Sequence, residues 1–111
     1  NVAGAYHSRL MKEAGSALHV VLEQNALVMP STPVYHNFTA SPAGSLTELI
    51  DNLEKQVAGS VRWVECIQNM IAAGADTMIE FGPGSVLTGL LKRTVPEVPG
   101  ININSVDGLN Q

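Results

Sequence analysis

The residue whose type and position are best suited to chemistry is His7, in the stretch G-A-Y-H-S-R-L-M at residues 4–11. Small residues before it and helical apolar spacing after it predict a connector that runs into a helix, with His7 at or next to the helix N-terminus. The unpaired N–H groups and the dipole at that end disfavour positive charge. A neutral imidazole there can accept a proton from a nucleophile at physiological pH. A single histidine at a helix start is more often a surface or capping residue, so the pattern alone leaves both interpretations open.

A resemblance to a known family extends this hypothesis. The segment around His7 resembles the histidine-containing segment of malonyl-CoA:acyl carrier protein transacylases and of the acyltransferase domains of polyketide and fatty acid synthases. The stretch E-F-G-P-G-S-V-L-T-G-L at residues 80–90 resembles the E-x-G-P-G-x-V-L-T-G-L stretch of the same family. Gln56 and Trp63 fall between the two at the family's spacing. These matches follow the same order along the chain as in the family, and the resemblance extends from Ala5 to Asn104.

The family's nucleophile has no counterpart in these residues. The family carries a serine in a G-H-S-x-G elbow and a downstream arginine that binds the malonyl carboxylate, whereas no serine of this chain has glycine at both positions two residues away. By resemblance, the elbow, the arginine and a small ferredoxin-like subdomain would precede Asn1. We therefore expect residues 1–111 to be the C-terminal segment of a malonyltransferase (acyltransferase) domain. It would supply the base but not the nucleophile, and it would be inactive by itself.

Composition narrows the class of partner. The chain is 45% hydrophobic and 14% charged, as in globular proteins, and its net charge of −4 argues against a nucleic-acid partner. The single cysteine excludes an internal disulfide framework and fits a reducing compartment. No apolar run reaches the ~18 residues of a membrane span, and the N-terminus lacks the pattern of a signal peptide. We therefore expect no membrane partner and a cytoplasmic location.

Hydrophobic periodicity predicts the elements that must position these residues. Amphipathic helices are predicted at residues 8–24, 45–57 and 60–74, and a further helix follows the glycine turn at residues 82–84. Ser45 and Glu48 form a capping box for the second of these helices. Short strands are predicted at residues 34–39, 77–81 and 101–104. The alternation predicts an α/β fold with parallel strands and helices on both faces. The resemblance implies the same class, as the C-terminal portion of an α/β-hydrolase-like core.

The resemblance also assigns roles to residues near His7. His7 would deprotonate the absent serine. The backbone carbonyl of Gln56 would hold His7 Nδ1–H so that the other ring nitrogen faces that serine, in place of the carboxylate of a Ser-His-Asp triad. An ordinary helix-end glutamine is the alternative. Tyr6 matches the malonyl-preferring pattern, because methylmalonyl-accepting relatives often have serine there and a larger side chain would collide with the α-methyl group.

The second matched stretch implies contacts with substrate and partner. Gly82 and Gly84 would allow close approach to the active-site floor and, with Val86, would contact the substrate. A phosphate cradle is the alternative, although the spacing matches neither common nucleotide motif. Lys92 and Arg93 match positions near the docking surface for the acidic acyl carrier protein, and they could equally serve to complement a helix dipole.

The implied reaction is transfer of malonyl from malonyl-CoA to the phosphopantetheine thiol of acyl carrier protein in fatty acid synthesis. No cofactor or metal is expected, because the histidines and Cys66 lack ligand spacing, and the enzyme's own N-terminal part would be a further partner. His19, His36 and Cys66 are interpreted as a helix-surface imidazole, a strand scaffold residue and an inert core thiol. Two alternatives remain open: an acyltransferase-domain fragment of a polyketide synthase, and a non-catalytic module that binds carrier protein.

Overall fold

The computed structural model describes residues 5–110, which divide into two compact units at residues 69 and 70. Of the connector predicted before His7, at residues 1–6, residues 1–4 lie outside the described residues. The first unit contains a 3-10 turn (Arg9–Met11), α1 (Lys12–Glu23), β1 (Tyr35–His36), β2 (Ser41–Pro42) and α2 (Leu46–Ala58). Helix α3 (Trp63–Ala72) follows, and the second unit contains β3 (Met78–Phe81), α4 (Val86–Thr94), β4 (Gly100–Ile103) and a 3-10 turn (Asp107–Asn110).

Helices α1 and α2 pack against each other in the first unit, and Gly15 is a point of close approach. Gly15 is buried, and a Cβ added to it would lie 2.8 Å from the backbone oxygen of Glu54. That separation is too short for any side chain, so the packing of the two helices requires glycine at this position. Both helices were predicted from their apolar spacing, and their observed bounds agree with the prediction to within a few residues at each end.

The start of α2 depends on side-chain capping. Ser45 Oγ accepts a hydrogen bond of 3.2 Å from the backbone N–H of Glu48, as the predicted capping box requires. The Glu48 carboxylate accepts a hydrogen bond of 2.8 Å from the N–H of Gly44. In a standard capping box the donor would be the N–H of Ser45, one residue later. The two contacts satisfy N–H groups that have no partner within the helix.

The strand predicted at residues 34–39 is wrong in length and in pairing. Only Tyr35 and His36 form a strand, and they pair antiparallel with Ser41 and Pro42. The backbone reverses between them, because the N–H groups of Thr39 and Ala40 both donate to the His36 carbonyl, at 3.2 and 2.8 Å. A hairpin this tight leaves no length for a longer strand, so β1 and β2 are not part of a parallel sheet.

The second unit is a β-α-β unit with parallel strands, as predicted. Strands β3 and β4 pair in register from Met78 opposite Gly100 to Phe81 opposite Ile103. Leu91 of α4 is almost fully buried, and a Cβ at Gly100 would lie 2.9 Å from its Cδ2 atom. The parallel pair with its crossover helix confirms the α/β class. None of the helices within residues 5–110 has the length and apolar character needed to cross a membrane.

Candidate catalytic site

The carboxyl end of α2 holds His7 through three contacts. His7 Nδ1 lies 3.0 Å from the carbonyl oxygen of Gln56 and 3.1 Å from that of Gly59. The backbone N–H of His7 donates to the carbonyl of Val57 at 3.0 Å. Carbonyl groups in the last turn of a helix have no partner within the helix, and His7 supplies donors to two of them. The ring of His7 is therefore anchored to an element that lies far from it in the sequence.

The His7 ring contacts the carboxyl end of α2, where the resemblance placed the Gln56 carbonyl. The segment after His7 begins as a 3-10 turn, and α1 itself starts only at Lys12. The expectation that His7 lies at or next to the N-terminus of a following helix is met only by this 3-10 turn, which separates His7 from α1. The carboxyl end of α2 carries partial negative charge, which stabilises positive charge developing on an imidazole rather than opposing it.

The backbone of His7 adopts the left-handed conformation, with φ of 59°. This region is uncommon for residues other than glycine, and where it occurs the surrounding contacts must hold it. The hydrogen bonds to Gln56, Val57 and Gly59 are such contacts. Side chains in strained backbone positions occur often at functional sites, which fits the chemistry considered for His7.

The two carbonyl partners fix the tautomer of a neutral His7. Carbonyl oxygens only accept hydrogen bonds, so Nδ1 must carry the proton and Nε2 keeps its lone pair. Within residues 5–110, no hydrogen bond engages Nε2, and the His7 side chain is exposed. A ring in this state can accept a proton at Nε2 from a hydroxyl or thiol.

The side chain of Gln56 takes part in the arrangement, which the sequence reasoning missed. Its Nε2 donates to the carbonyls of Gly59 and Ser60, at 3.2 and 3.3 Å. Two acceptors around this atom identify it as the nitrogen of the amide. The Oε1 atom is buried and has no hydrogen-bond partner among residues 5–110. Gln56 thus contributes a backbone acceptor to His7 and a side-chain donor to the neighbouring carbonyls.

Gly59 was also missed, because the sequence identified it only as a helix breaker. A Cβ at this position would lie 2.6 Å from Phe38 Cδ2 and 2.7 Å from the carbonyl oxygen of Lys55. Its backbone angles, φ −91° and ψ 158°, are open to any residue, so space rather than conformation requires glycine. The only available signal was the isolated glycine after the α2 pattern, and it did not reveal this contact.

Most of the other predicted site residues lie in the second unit, in the turn between β3 and α4 or on α4 itself. Gly82 and Gly84 have φ of 121° and 82°, which explains the requirement for glycine on both sides of Pro83. Val86 is exposed at the start of α4, and Lys92 and Arg93 are exposed in its last turn. Tyr6, in the first unit, is also exposed beside His7.

The carboxylate of Glu80 is hydrogen-bonded to the first turn of α4. Its carboxylate accepts hydrogen bonds from Thr88 Oγ1 at 2.6 Å, from Thr88 N–H at 2.8 Å and from Leu87 N–H at 3.0 Å. The Thr88 hydroxyl, followed by the backbone N–H groups, lowers the pKa of Glu80 against an opposing effect of desolvation. Because a carboxylate already occupies the N–H groups at this helix start, a phosphate would meet both filled donors and like charge. The alternative of a phosphate cradle is therefore disfavoured.

His19 is more than the helix-surface imidazole expected from the sequence. It is half-buried between α1 and α2, with Nδ1 2.6 Å from Glu54 Oε2 and 3.8 Å from Asp51 Oδ1, and with Nε2 3.3 Å from Glu23 Oε1. Desolvation lowers the pKa of His19, but the contacts with Glu23 and Glu54 outweigh it, so the net pKa is raised. The ring is therefore ion-paired with these carboxylates.

His19, Asp51 and Glu54 each have one nitrogen or oxygen atom that could bind a metal ion, and these atoms lie within 4.8 Å of one another. The shortest contact, Nδ1 to Oε2, is 2.6 Å. Two ligands of one metal ion with bonds near 2.1 Å lie about 3 Å or more apart. The short contact is off the direction of the ring N–H, so it is an ion pair rather than a well-formed hydrogen bond. Metal binding requires a neutral imidazole, whereas the neighbouring carboxylates favour the protonated ring, so the group is best described as an ion-pair cluster.

His36 and Cys66 lie in the core of the first unit. The carbonyl of His36 closes the β1–β2 turn and also accepts from Cys66 Sγ at 3.4 Å. Desolvation raises the pKa of the Cys66 thiol, which keeps it protonated and unreactive. Both residues are well buried, at 8% and 3% exposure, in agreement with scaffold roles.

Comparison with known proteins identifies relatives over almost the whole chain, although no family model matches it. The chain is 38% identical over 109 residues to the malonyl CoA-acyl carrier protein transacylase of Synechocystis. The matched region covers 98% of this chain and 37% of that protein. An acyl carrier protein S-malonyltransferase from Vibrio cholerae superposes with a TM-score of 0.92 at 36% identity, over 99% of this chain and 36% of that one. A malonyl-transacylase, PlMCAT, solved in complex with AntF, a type II PKS acyl-carrier protein, has a TM-score of 0.92 at 34% identity, over 98% of this chain and 35% of that one. The chain thus spans about a third of the length of these relatives.

Proposed function

This chain belongs to the malonyl-CoA:acyl carrier protein transacylase family, and we propose that it supplies the general base for malonyl transfer, with His7 as that base. The observation that carries the proposal is the contact of 3.0 Å between His7 Nδ1 and the carbonyl of Gln56. It leaves Nε2 as the nitrogen that exchanges protons. The serine nucleophile implied by the resemblance is not among these residues, so the proposed activity is that of the longer enzyme.

Two proton transfers by His7 account for each half of the reaction. In the first half, Nε2 takes the serine proton as the oxygen attacks the thioester of malonyl-CoA, and then gives it to the departing coenzyme A sulfur. In the second half, Nε2 takes the proton of the phosphopantetheine thiol, the thiolate attacks the malonyl-serine, and the proton returns to the serine oxygen. No external oxidant, metal or cofactor enters either half.

The carboxyl end of α2 supports His7 during these steps. The ring becomes positively charged whenever Nε2 holds the proton, and two backbone carbonyls contact its Nδ1 atom: those of Gln56 and Gly59. Their partial negative charge stabilises the imidazolium without a carboxylate. A neutral dipole thereby serves the purpose that an aspartate serves in a Ser-His-Asp triad.

Substrate and partner contacts are assigned to the remaining matched residues. Tyr6 is exposed next to His7, and its bulk favours malonyl over methylmalonyl. Gly82, Gly84 and Val86 are assigned to substrate contact by the resemblance, and the positive φ angles of the two glycines are compatible with a turn that has no side chains there. Lys92 and Arg93 are exposed cations that suit an acidic acyl carrier protein. We also propose a cytoplasmic location, which is supported by the single cysteine, since it fits a reducing compartment.

The same chemistry could serve polyketide synthesis. The relative solved in complex with a type II PKS acyl-carrier protein favours this second candidate. A role in polyketide synthesis differs from a role in fatty acid synthesis only in the pathway served, and the role of His7 is the same in both. A non-catalytic carrier-binding module remains the alternative from a different class.

Mass spectrometry of the full-length protein exposed to malonyl-CoA separates enzyme from binder. A malonyl-serine adduct is expected for an enzyme, and a folded protein without any adduct would favour a binder. In the full-length protein, His7→Ala is expected to slow transfer by ~10²–10⁴-fold. Ser16→Ala is the matched control, because Ser16 is exposed and its hydroxyl contacts only the Lys12 carbonyl of α1 among the described hydrogen bonds. Unchanged transfer in His7→Ala would show that His7 is not the base.

A further inference from the structure

We propose that Gly59 and the side-chain amide of Gln56 are positioning residues for His7, which act by presenting the Gly59 carbonyl as a second acceptor for His7 Nδ1–H. The catalytic meaning of this arrangement rests on the proposed function, but its geometry does not. The family resemblance implied only a backbone carbonyl at Gln56, so the second acceptor and its supports are additional parts of the site.

The two acceptors constrain the ring more than one acceptor could. The distances from Nδ1, 3.0 Å to Gln56 O and 3.1 Å to Gly59 O, are nearly equal, so a single N–H is shared between them. A half-turn of the ring would face both carbonyls with a C–H group and lose both contacts. The pair therefore fixes the tautomer and the orientation of the ring at once, and it directs Nε2 to the opposite side.

The Gly59 carbonyl is held in place by Gln56. The amide nitrogen of Gln56 donates to Gly59 O at 3.2 Å and to Ser60 O at 3.3 Å, one N–H for each. The two contacts tie the chain just after α2 back onto its last turn. Gln56 therefore has two separable functions: an acceptor in its backbone, which every residue has, and a donor in its side chain, which few residues have.

The absence of a Cβ at Gly59 is the second support. Phe38 Cδ2 and the Lys55 carbonyl would lie 2.6 and 2.7 Å from a Cβ at this position. An aromatic ring and a helix backbone cannot both give way, so any side chain would push Gly59 outward and carry its carbonyl away from His7. The close contact with Phe38 thus determines where the second acceptor lies.

The tautomer of His7 is the direct readout, and nitrogen-15 NMR of the imidazole measures it in the 111-residue chain. The unsubstituted chain is expected to show His7 protonated at Nδ1. Gln56→Met keeps the backbone acceptor and the length of the side chain but removes both donors. We expect it to raise the ratio of the Nε2–H to the Nδ1–H tautomer about fivefold, the effect of one hydrogen bond. Gly59→Ala is expected to raise the ratio by about tenfold, because the carbonyl itself moves.

Gly89→Ala is the matched control, since Gly89 lies in α4 with no atom within 4 Å of an added Cβ. It is expected to leave the His7 ratio unchanged. An unchanged ratio in folded Gln56→Met overturns the proposal. If Gly59→Ala loses the dispersed spectrum of a folded chain, Gln56→Met decides alone.

Failure of this proposal and failure of the proposed function give different results. In the full-length enzyme, Gln56→Met is expected to lower kcat several-fold with KM unchanged, because it disturbs the base and not the substrate contacts. A shifted tautomer together with normal transfer in His7→Ala would leave the positioning intact and reject the catalytic role. An unshifted tautomer in Gln56→Met together with slow transfer in His7→Ala would reject the positioning role and leave the catalytic role of His7 intact.

Discussion

His7 Nδ1 lies 3.0 Å from the backbone carbonyl oxygen of Gln56, a residue 49 positions further along the chain. The contact joins the segment before α1 to the carboxyl end of α2, and it uses a group that no substitution removes. A backbone acceptor has the advantage that it carries partial charge in a fixed direction without a titrating side chain. The arrangement depends on the packing of α1 against α2 and on the geometry with which α2 ends.

Gly15→Ala is expected to destabilise the first unit by about 1–3 kcal/mol, because the new methyl group would lie 2.8 Å from the carbonyl oxygen of Glu54 and would force α1 from α2. Alanine has the better helix propensity, so a loss of stability would identify overpacking as the cause. Urea denaturation measures the change. Gly89→Ala, which meets no neighbouring atom, is expected to stabilise the protein by about 0.5–1 kcal/mol. Equal effects at both positions would contradict the close approach.

Ser45→Ala is expected to lower the free energy of unfolding by about 1 kcal/mol, because the N–H of Glu48 loses its acceptor at the start of α2. Guanidinium denaturation followed by circular dichroism is a suitable measurement. Ser16→Ala serves as the comparison, since Ser16 lies inside α1 and alanine favours a helix interior. A neutral result at Ser45 would mean that α2 does not depend on its cap.

Glu80 is expected to make stability depend on acid pH. Hydrogen bonds from Thr88 and Leu87 lower its pKa in the folded state relative to the unfolded value near 4.5. Its contribution is therefore fully present above that unfolded pKa and is lost as the pH falls through the lower folded pKa. Melting temperatures measured from neutral to acid pH are expected to fall less steeply in Glu80→Gln. Parallel curves for the two proteins would rule out this contribution.

His19 is expected to have the opposite dependence. Contacts with Glu23 and Glu54 raise its folded pKa above the unfolded value near 6.5, despite desolvation. The contribution is therefore fully present below pH 6.5 and is lost as the pH rises through the higher folded pKa. The carboxylates that face the ring are those of Glu23, Asp51 and Glu54.

His19→Gln is the test, because glutamine keeps polarity without titrating near neutral pH. Melting temperatures across this range should lose part of their pH dependence in the variant. NMR titration of His19 provides a direct second measurement, and a folded pKa at or below the unfolded value would contradict the ion-pair cluster.

Features that depend on near neighbours in the chain could be predicted from residue patterns. The helical repeats, the Ser45 cap and the last two short strands were predicted because they are encoded within a few residues of one another. The strands were predicted at residues 77–81 and 101–104 and are observed at residues 78–81 and 100–103. Motif order also identified the family and selected His7 and Gln56 as the residues to examine. Predicted catalytic and binding roles remain predictions, since they concern groups beyond this chain.

The packing of the elements was needed to find the second acceptor of the His7 ring, the Gly59 carbonyl. The resemblance had already pointed to the Gln56 carbonyl, but nothing in the sequence marks Gly59 as an acceptor, because a backbone carbonyl is the same for every residue. The β1–β2 hairpin and the carboxylates around His19 were missed because strand pairing and helix packing are not specified by local residue patterns. Local patterns fix the elements, whereas contacts between distant segments depend on how those elements pack.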